Sequence, residues 1–213
     1  MEHGKTTLVN LLPRFYDICY GNILINGIDY REYKLKDLRD RIAYVFQEPV
    51  IFDKTILENI RFGNREDISE KQIREVCKQI GLDDKIRQLP NEYDTVIDDK
   101  TDLLSYGEKQ LLSFARAILK DADLIILDEV TSNLDLEFEE SIMKATKEML
   151  SNKISFVIAH RLNTIKNADL IIFIEDKEIA EMGTHEELIE KHGKYYNLYM
   201  SKKDNLRYLK ELI

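Results

Sequence analysis

The sequence predicts an α/β fold, a mostly parallel sheet flanked by helices. Three observations predict it. Short apolar runs of strand length alternate along the chain with stretches of helical periodicity. The run Leu124-Ile125-Ile126-Leu127 is met at once by two carboxylates, Asp128 and Glu129. That is how a buried parallel strand looks when its C-terminal end carries a site. Ahead of it, Ser105 and Gly107 open a stretch whose apolar residues Leu111, Leu112, Phe114, Ala115, Ile118 and Leu119 recur at helical spacing. Ser105 suits a helix cap, and Gly107 would let an anion approach backbone N–H groups.

Length and composition set bounds. A chain of 213 residues with 44% hydrophobic residues can bury a sizeable core. Its 31 basic and 40 acidic residues leave a net charge of −9, which argues against a general nucleic-acid-binding surface. Cys19 and Cys77 make neither a metal-ligand cluster nor a disulfide framework, which fits a reducing cytosol. No apolar run reaches the roughly 18 residues needed to cross a bilayer, and the N-terminus has no apolar signal region. Work at a membrane would need spanning helices from another chain or segment.

In chain order, Gly4-Lys5-Thr6 runs straight into Leu8, Val9, Leu11 and Leu12. These match the last three positions of a P-loop, Gly-x-x-x-x-Gly-Lys-Ser/Thr. The loop's first glycine and its strand would lie before Met1. In such a loop the lysine reaches the β- and γ-phosphates and the hydroxyl holds Mg²⁺. Ile23–Ile25 and Ile28 read as strand around an Asn26-Gly27 turn. Leu35–Arg41 reads as a charged amphipathic turn or short helix. Ile42–Phe46 reads as a strand that ends at Gln47-Glu48-Pro49. Ser69 with Gln72 marks a helix start and Gly81 its stop, with Ile73, Val76, Cys77 and Ile80 on one face. Leu82–Asp102 reads as polar and irregular, with a turn at Pro90-Asn91. Phe138–Leu150 reads as an amphipathic helix and Ile154–Ile158 as a strand. His160 falls just past that strand's C-terminal end, the edge where α/β sheets place ligands. Leu170–Ile174 reads as another buried strand, in a hairpin with Glu178–Met182. Gly183-Thr184 starts a helix in which His185 reads as a structural or solvated helix-start residue and not a ligand, and residues 195–213 read as helical.

The order of these pieces is similar to that of the ATP-binding cassette (ABC) ATPases. Leu104-Ser105-Tyr106-Gly107-Glu108-Lys109-Gln110 resembles the family's signature motif. Leu124–Asp128 resembles its Walker B strand, with Glu129 in the catalytic-base position. Ser132-Asn133-Leu134-Asp135 resembles the D-loop, Gln47 the Q-loop glutamine and His160 the switch histidine. Thr55–Ile60 and Gly183–Leu188 look like exporter-type cassettes in particular.

The resemblance implies one P-loop NTPase-like domain over residues 1–213 that lacks the family's first strands. It implies an inserted α-helical subdomain over roughly residues 60–118 and a helical tail over roughly 195–213. The implied ligands are ATP and Mg²⁺. Gly4, Lys5, Thr6, Thr7 and Asp128 would bind nucleotide; Thr6, Gln47 and Asp128 would face the metal. Glu129, His160 and Gln47 would serve catalysis. Ser105, Gly107 and Glu108 would close over nucleotide held by an opposite cassette, and Asp135 would couple the two sites. Implied partners are a second cassette, as homo- or heterodimer, and the transmembrane domains of an exporter at the cytoplasmic face of the membrane, with no nucleic acid. Glu2 and His3 depart from the family, which usually has glycine and a small residue there. Hence the expectation that the chain as written binds ATP poorly. The alternative is a truncated or degenerate cassette that does not hydrolyse ATP and only pairs. A soluble ABC ATPase of DNA repair or translation would lack the two exporter-like stretches.

Overall fold

The computed structural model describes residues 4–64, 68–98, 103–130, 150, 153–158 and 165–201. The chain divides into two compact units, Val9–Val157 and, together, Met1–Leu8 with Ile158–Ile213. His160, the D-loop with Asp135, and all but the last residue of the helix expected over 138–150 lie outside the described residues.

Helix α1 (Lys5–Asn10) opens the described chain. Strands β1 (Leu24–Ile25) and β2 (Ile28–Asp29) then form a hairpin. Its turn residues Asn26 and Gly27 have φ of 52° and 80°, the left-handed pair a tight hairpin needs. Helix α2 (Leu35–Asp40) leads into β3 (Ile42–Val45). Next come β4 (Lys54–Thr55), α3 (Ile56–Arg61), α4 (Glu70–Gln79), α5 (Asp83–Arg87), β5 (Val96–Ile97) and α6 (Tyr106–Leu119). Helices α3, α4 and α6 each begin with a reciprocal capping box, Thr55 with Glu58, Ser69 with Gln72 and Ser105 with Glu108. Each box satisfies backbone N–H groups that a helix start leaves without partners.

Strand β6 (Leu124–Asp128) lies between β3 and β7 (Ile154–Ile158). It runs parallel to β3 with Ile42 opposite Leu124 and Val45 opposite Leu127. This register brings both strands to an end at the same level, so Phe46-Gln47 leaves the sheet beside Asp128-Glu129. Ala43, Val45, Ile125 and Leu127 share one apolar cluster with Ile56 and Ile60 of α3, Ile73 and Cys77 of α4, and Leu111 and Phe114 of α6. The sheet and the helical segment are therefore packed on a common core. β6 covers the apolar run Leu124–Leu127 and Asp128 as expected, and α6, capped by Ser105, ends at Leu119 before the expected break at Lys120–Asp123.

Two expectations fail. Leu82–Asp102 is not merely polar and irregular: it holds α5, a 3₁₀ turn at Glu92–Asp94 and β5. Leu82, Ile86 and Leu89 sit at i, i+4 and i+7 and are buried, but Asp83, Asp84, Lys85 and Arg87 between them disguise the pattern. Asp83 is itself buried, accepting from the Tyr93 hydroxyl at 2.7 Å and paired with Arg87 at 2.8 Å. The second failure is the strand expected to be buried at Leu170–Ile174. As β8 (Ile171–Glu175) it pairs antiparallel with β9 (Glu178–Gly183) in a two-stranded sheet. One face packs, through Ile171 and Phe173, on Leu188 and Tyr195; Leu170 and Ile172 stay exposed. His185, at the start of the helix His185–Glu190, is buried with its Nδ1 2.8 Å from the Tyr195 hydroxyl, a structural role. No helix among the described residues is long and apolar enough to cross a membrane.

Candidate functional site

The candidate site in the larger unit lies where β3 and β6 end and α6 begins. Asp128, the last residue of β6, is buried. Its Oδ2 accepts a hydrogen bond from the Tyr44 hydroxyl at 3.2 Å, and that hydroxyl also lies 2.9 Å from Asn10 Oδ1. One hydroxyl proton serves two acceptors, so Tyr44 ties the last residue of α1 to the carboxylate. Burial first, and then the Asp128 charge, push the Tyr44 pKa up, so the phenol stays a donor.

Glu129 follows with φ of 49°, the left-handed region that a glutamate adopts only under constraint. The turn re-aims the chain directly after the strand. Glu129 Oε2 accepts from Gln47 Nε2 at 3.2 Å, so two residues 82 apart in sequence meet.

Helix α6 contributes three things. Ser105 Oγ accepts from the Glu108 N–H at 3.3 Å, and Glu108 Oε2 accepts from the Ser105 N–H at 2.7 Å. Glu108 also faces Lys85 Nζ at 3.8 Å. Gly107 is buried in the same turn. Tyr106 donates its hydroxyl to the Gln47 carbonyl at 2.6 Å, and Gln110 donates Nε2 to the Phe46 carbonyl at 3.1 Å. Further along α6, Arg116 donates to the carbonyls of Val50 and Asn59 and to Asn59 Oδ1. Asn59 in turn brackets both the N–H and the carbonyl of Phe52 at 2.9 Å. These are neutral oxygens, and burial alone lowers the Arg116 pKa to about 10.

In the other unit, Gly4 takes φ of 76° and its carbonyl accepts from the Leu8 N–H at 3.0 Å. Lys5, Thr6 and Thr7 form the first turn of α1. Sequence reasoning missed Tyr44, Tyr106, Gln110 and Arg116. Gln110 left a trace, a polar residue among apolar helix positions; Tyr44 left none, because a strand tyrosine is ordinary.

At the ends of β6 and β3 the larger unit presents hard oxygens, the Asp128 carboxylate and the Gln47 amide oxygen. Among the described residues no group of three His, Cys, Asp or Glu could hold a metal ion. Hard oxygen donors of this kind suit a hard cation such as Mg²⁺, which is commonly held by one or two carboxylates with water and phosphate oxygens completing its shell.

Residues 3–132 match the model of the ABC transporter family. The chain belongs to that family. An ATP-dependent lipid A-core flippase of Syntrophus aciditrophicus is 46% identical over 196 residues, 92% of this chain and 32% of that protein. The protein of the same description from Salmonella typhimurium is 44% identical, covering 92% of this chain and 34% of its own length. The solved structure of a bacterial Atm1-family ABC exporter with ATP bound superimposes with a TM-score of 0.86 at 34% identity, over 94% of this chain and 35% of that one. The chain thus spans about a third of the length of the curated relatives it matches.

Proposed function

We propose that this chain is the ATP-hydrolysing cassette of an ABC exporter. The observation that carries the reading is the Gln47–Glu129 contact at the ends of parallel strands, beside the capped start of α6. The family and the exporter-like relatives support it. Gly4, Lys5, Thr6 and Thr7 bind the phosphates. Lys5 neutralises charge that develops as the γ-phosphoryl group leaves the β-phosphate oxygen. Thr6, Gln47 and Asp128 would hold Mg²⁺, which neutralises phosphate oxygens when bound.

Glu129 orients and deprotonates the water that attacks phosphorus, and Gln47 fixes that carboxylate's direction. The products are ADP and inorganic phosphate. His160 stabilises the departing phosphate. Ser105, Gly107 and Glu108 act on nucleotide bound by a second cassette, and Asp135 couples the two sites. ATP then holds the pair together and hydrolysis releases it. Residues 1–213 form a single domain, with its helical subdomain over roughly 60–118. In this reading partner segments supply the membrane helices, and the cassette works at the cytoplasmic face. The relatives named as lipid A-core flippases make an amphipathic lipid the first substrate class to try.

The test is sedimentation with ATP of a version carrying a full Gly-x-x-Gly-Ser-Gly-Lys-Thr loop, with and without Ser105→Arg. Monomer binding of ATP should persist in the variant and ATP-driven dimerisation should vanish. Equal loss of both would sink the shared-site reading.

A further inference from the structure

We propose that Tyr106 is a positioning residue for hydrolysis: its hydroxyl, with the Gln110 amide, clamps the Phe46-Gln47 backbone so that Gln47 meets Glu129. The proposal rests on the ATPase reading above and adds two residues of the signature stretch that had no role assigned there. It begins with an accounting of backbone acceptors. The parallel ladder ends at Val45 opposite Leu127. The carbonyls of Phe46 and Gln47 therefore leave the sheet where carbonyls still need donors. Both donors come from side chains of one helix, Tyr106 at 2.6 Å to Gln47 and Gln110 at 3.1 Å to Phe46. They are four residues apart and so share a face of α6.

Gln110 shows that this is more than a convenient contact. It is fully buried, and its Oε1 finds no partner among the described residues. Holding an unsatisfied amide oxygen in an apolar core is costly. The one hydrogen bond recorded for this amide is the bond to Phe46. A leucine would pack in that place without the cost, but it would leave the Phe46 carbonyl unheld.

The consequence passes through Gln47. Its side chain reaches Glu129 at 3.2 Å, while its own carbonyl is the acceptor for Tyr106. Where the backbone is fixed, the side chain has few ways to miss. Without the hydroxyl, the loop gains freedom and the Gln47–Glu129 contact becomes intermittent. Since α6 also begins at Ser105, the same helix that faces the nucleotide across a dimer sets the geometry of the base in its own cassette. Any small movement of α6 is then felt at Glu129.

The test uses Tyr106→Phe, which keeps the ring and removes the hydroxyl, and Gln110→Met as a second variant of similar volume. Amide hydrogen exchange and steady-state ATP turnover are measured on each. Loss of one such bond should speed exchange over residues 46–50 by about 3- to 10-fold and leave α4 unchanged. The kcat should fall by about the same factor, with KM for ATP within about twofold. In a Glu129→Gln background, Tyr106→Phe should cost almost nothing more, because the group it positions is gone.

Unchanged exchange over 46–50 overturns the proposal. So does faster exchange with normal kcat, or faster exchange throughout the chain, which is a merely structural effect. A raised KM with normal kcat would make Tyr106 a nucleotide contact instead and also overturns it. If the unmutated chain shows no turnover, as poor ATP binding would give, turnover is read in a version carrying a full Gly-x-x-Gly-Ser-Gly-Lys-Thr loop; no turnover there sinks the ATPase reading, and exchange over 46–50 alone then decides the clamp.

Discussion

Strands β6 and β7 have the same length, lie in the same sheet and read alike, Leu-Ile-Ile-Leu-Asp against Ile-Ser-Phe-Val-Ile. Their fates differ. From Ile125 to Asp128 every residue of β6 is buried; on β7 only Ile158 is. Ile154 is 68% exposed, and Phe156 and Val157 are 37% exposed each. The cause is neighbours, not composition. β6 has a strand on each side and α6 over its face, whereas β7 is the last strand of the sheet among the described residues. The difference also says where chemistry can be held. Asp128 and Glu129 leave a strand that is fixed on both edges, so their carboxylates have defined partners in Tyr44 and Gln47.

The largest effect expected on the β6 side is catalytic. In a version with a complete P-loop, Glu129→Gln should retain ATP binding and lose about 10²- to 10⁴-fold in hydrolysis, the usual worth of a positioned general base. Single-turnover measurement with radiolabelled ATP checks it. Near-normal turnover would mean that the end of β6 holds structure and not the reaction.

The second effect is on stability. Ile126→Ala, fully buried in β6, should cost about 2–5 kcal/mol through lost transfer energy and a residual cavity. Val157→Ala, half-exposed on β7, should cost under about 1 kcal/mol. Urea denaturation of the two variants reads both numbers. Equal losses would show that β7 is covered in solution, and the contrast between the strands would collapse.

The same contrast explains what the sequence could tell. Strand β6, helix α6 and their caps were legible because local pattern and burial agree there: an apolar run, a serine, a glutamate three residues on. The meeting of Gln47 with Glu129 was legible only through family resemblance, since nothing local to either residue points at the other. Helix α5 was hidden because its apolar face is three residues, Leu82, Ile86 and Leu89, spread among charges. What Tyr44, Tyr106 and Gln110 reach was hidden for another reason. Their roles are hydrogen bonds across the fold, and a tyrosine or glutamine carries no mark of which distant carbonyl or carboxylate it will reach.

A third prediction sharpens the β3–β6 side. Tyr44→Phe keeps the ring that stacks on Phe46 with centroids 4.2 Å apart, and removes the hydroxyl between Asn10 and Asp128. The loss should be about 0.5–1.5 kcal/mol, one hydrogen bond's net worth, rising toward the top of that range because the acceptor is a carboxylate. Thermal melting checks it. No change would show that water replaces the hydroxyl at no cost, and that the Asn10–Tyr44–Asp128 link is incidental.

The smallest effect on stability belongs to β7, and its smallness is the point. Ile154→Lys places a charge on the outermost strand at a position that is mostly solvent-exposed. Substitutions at such positions change stability by no more than about 0.5 kcal/mol. Lysine on an edge strand also opposes strand-to-strand pairing between molecules, because the incoming chain would have to bury its ammonium. The neighbouring Lys153 is already committed, donating to Asp121 Oδ1 at 2.8 Å and to the Ala122 carbonyl at 2.9 Å, so the new charge need not displace it. The expected outcome is therefore an unchanged urea midpoint together with less concentration-dependent light scattering. A loss of 2 kcal/mol or more, on the scale of a buried isoleucine, would mean that Ile154 is buried in solution against another strand. In that case β7 would be a second central strand, and its difference from β6 would lie in what had been brought to its edge.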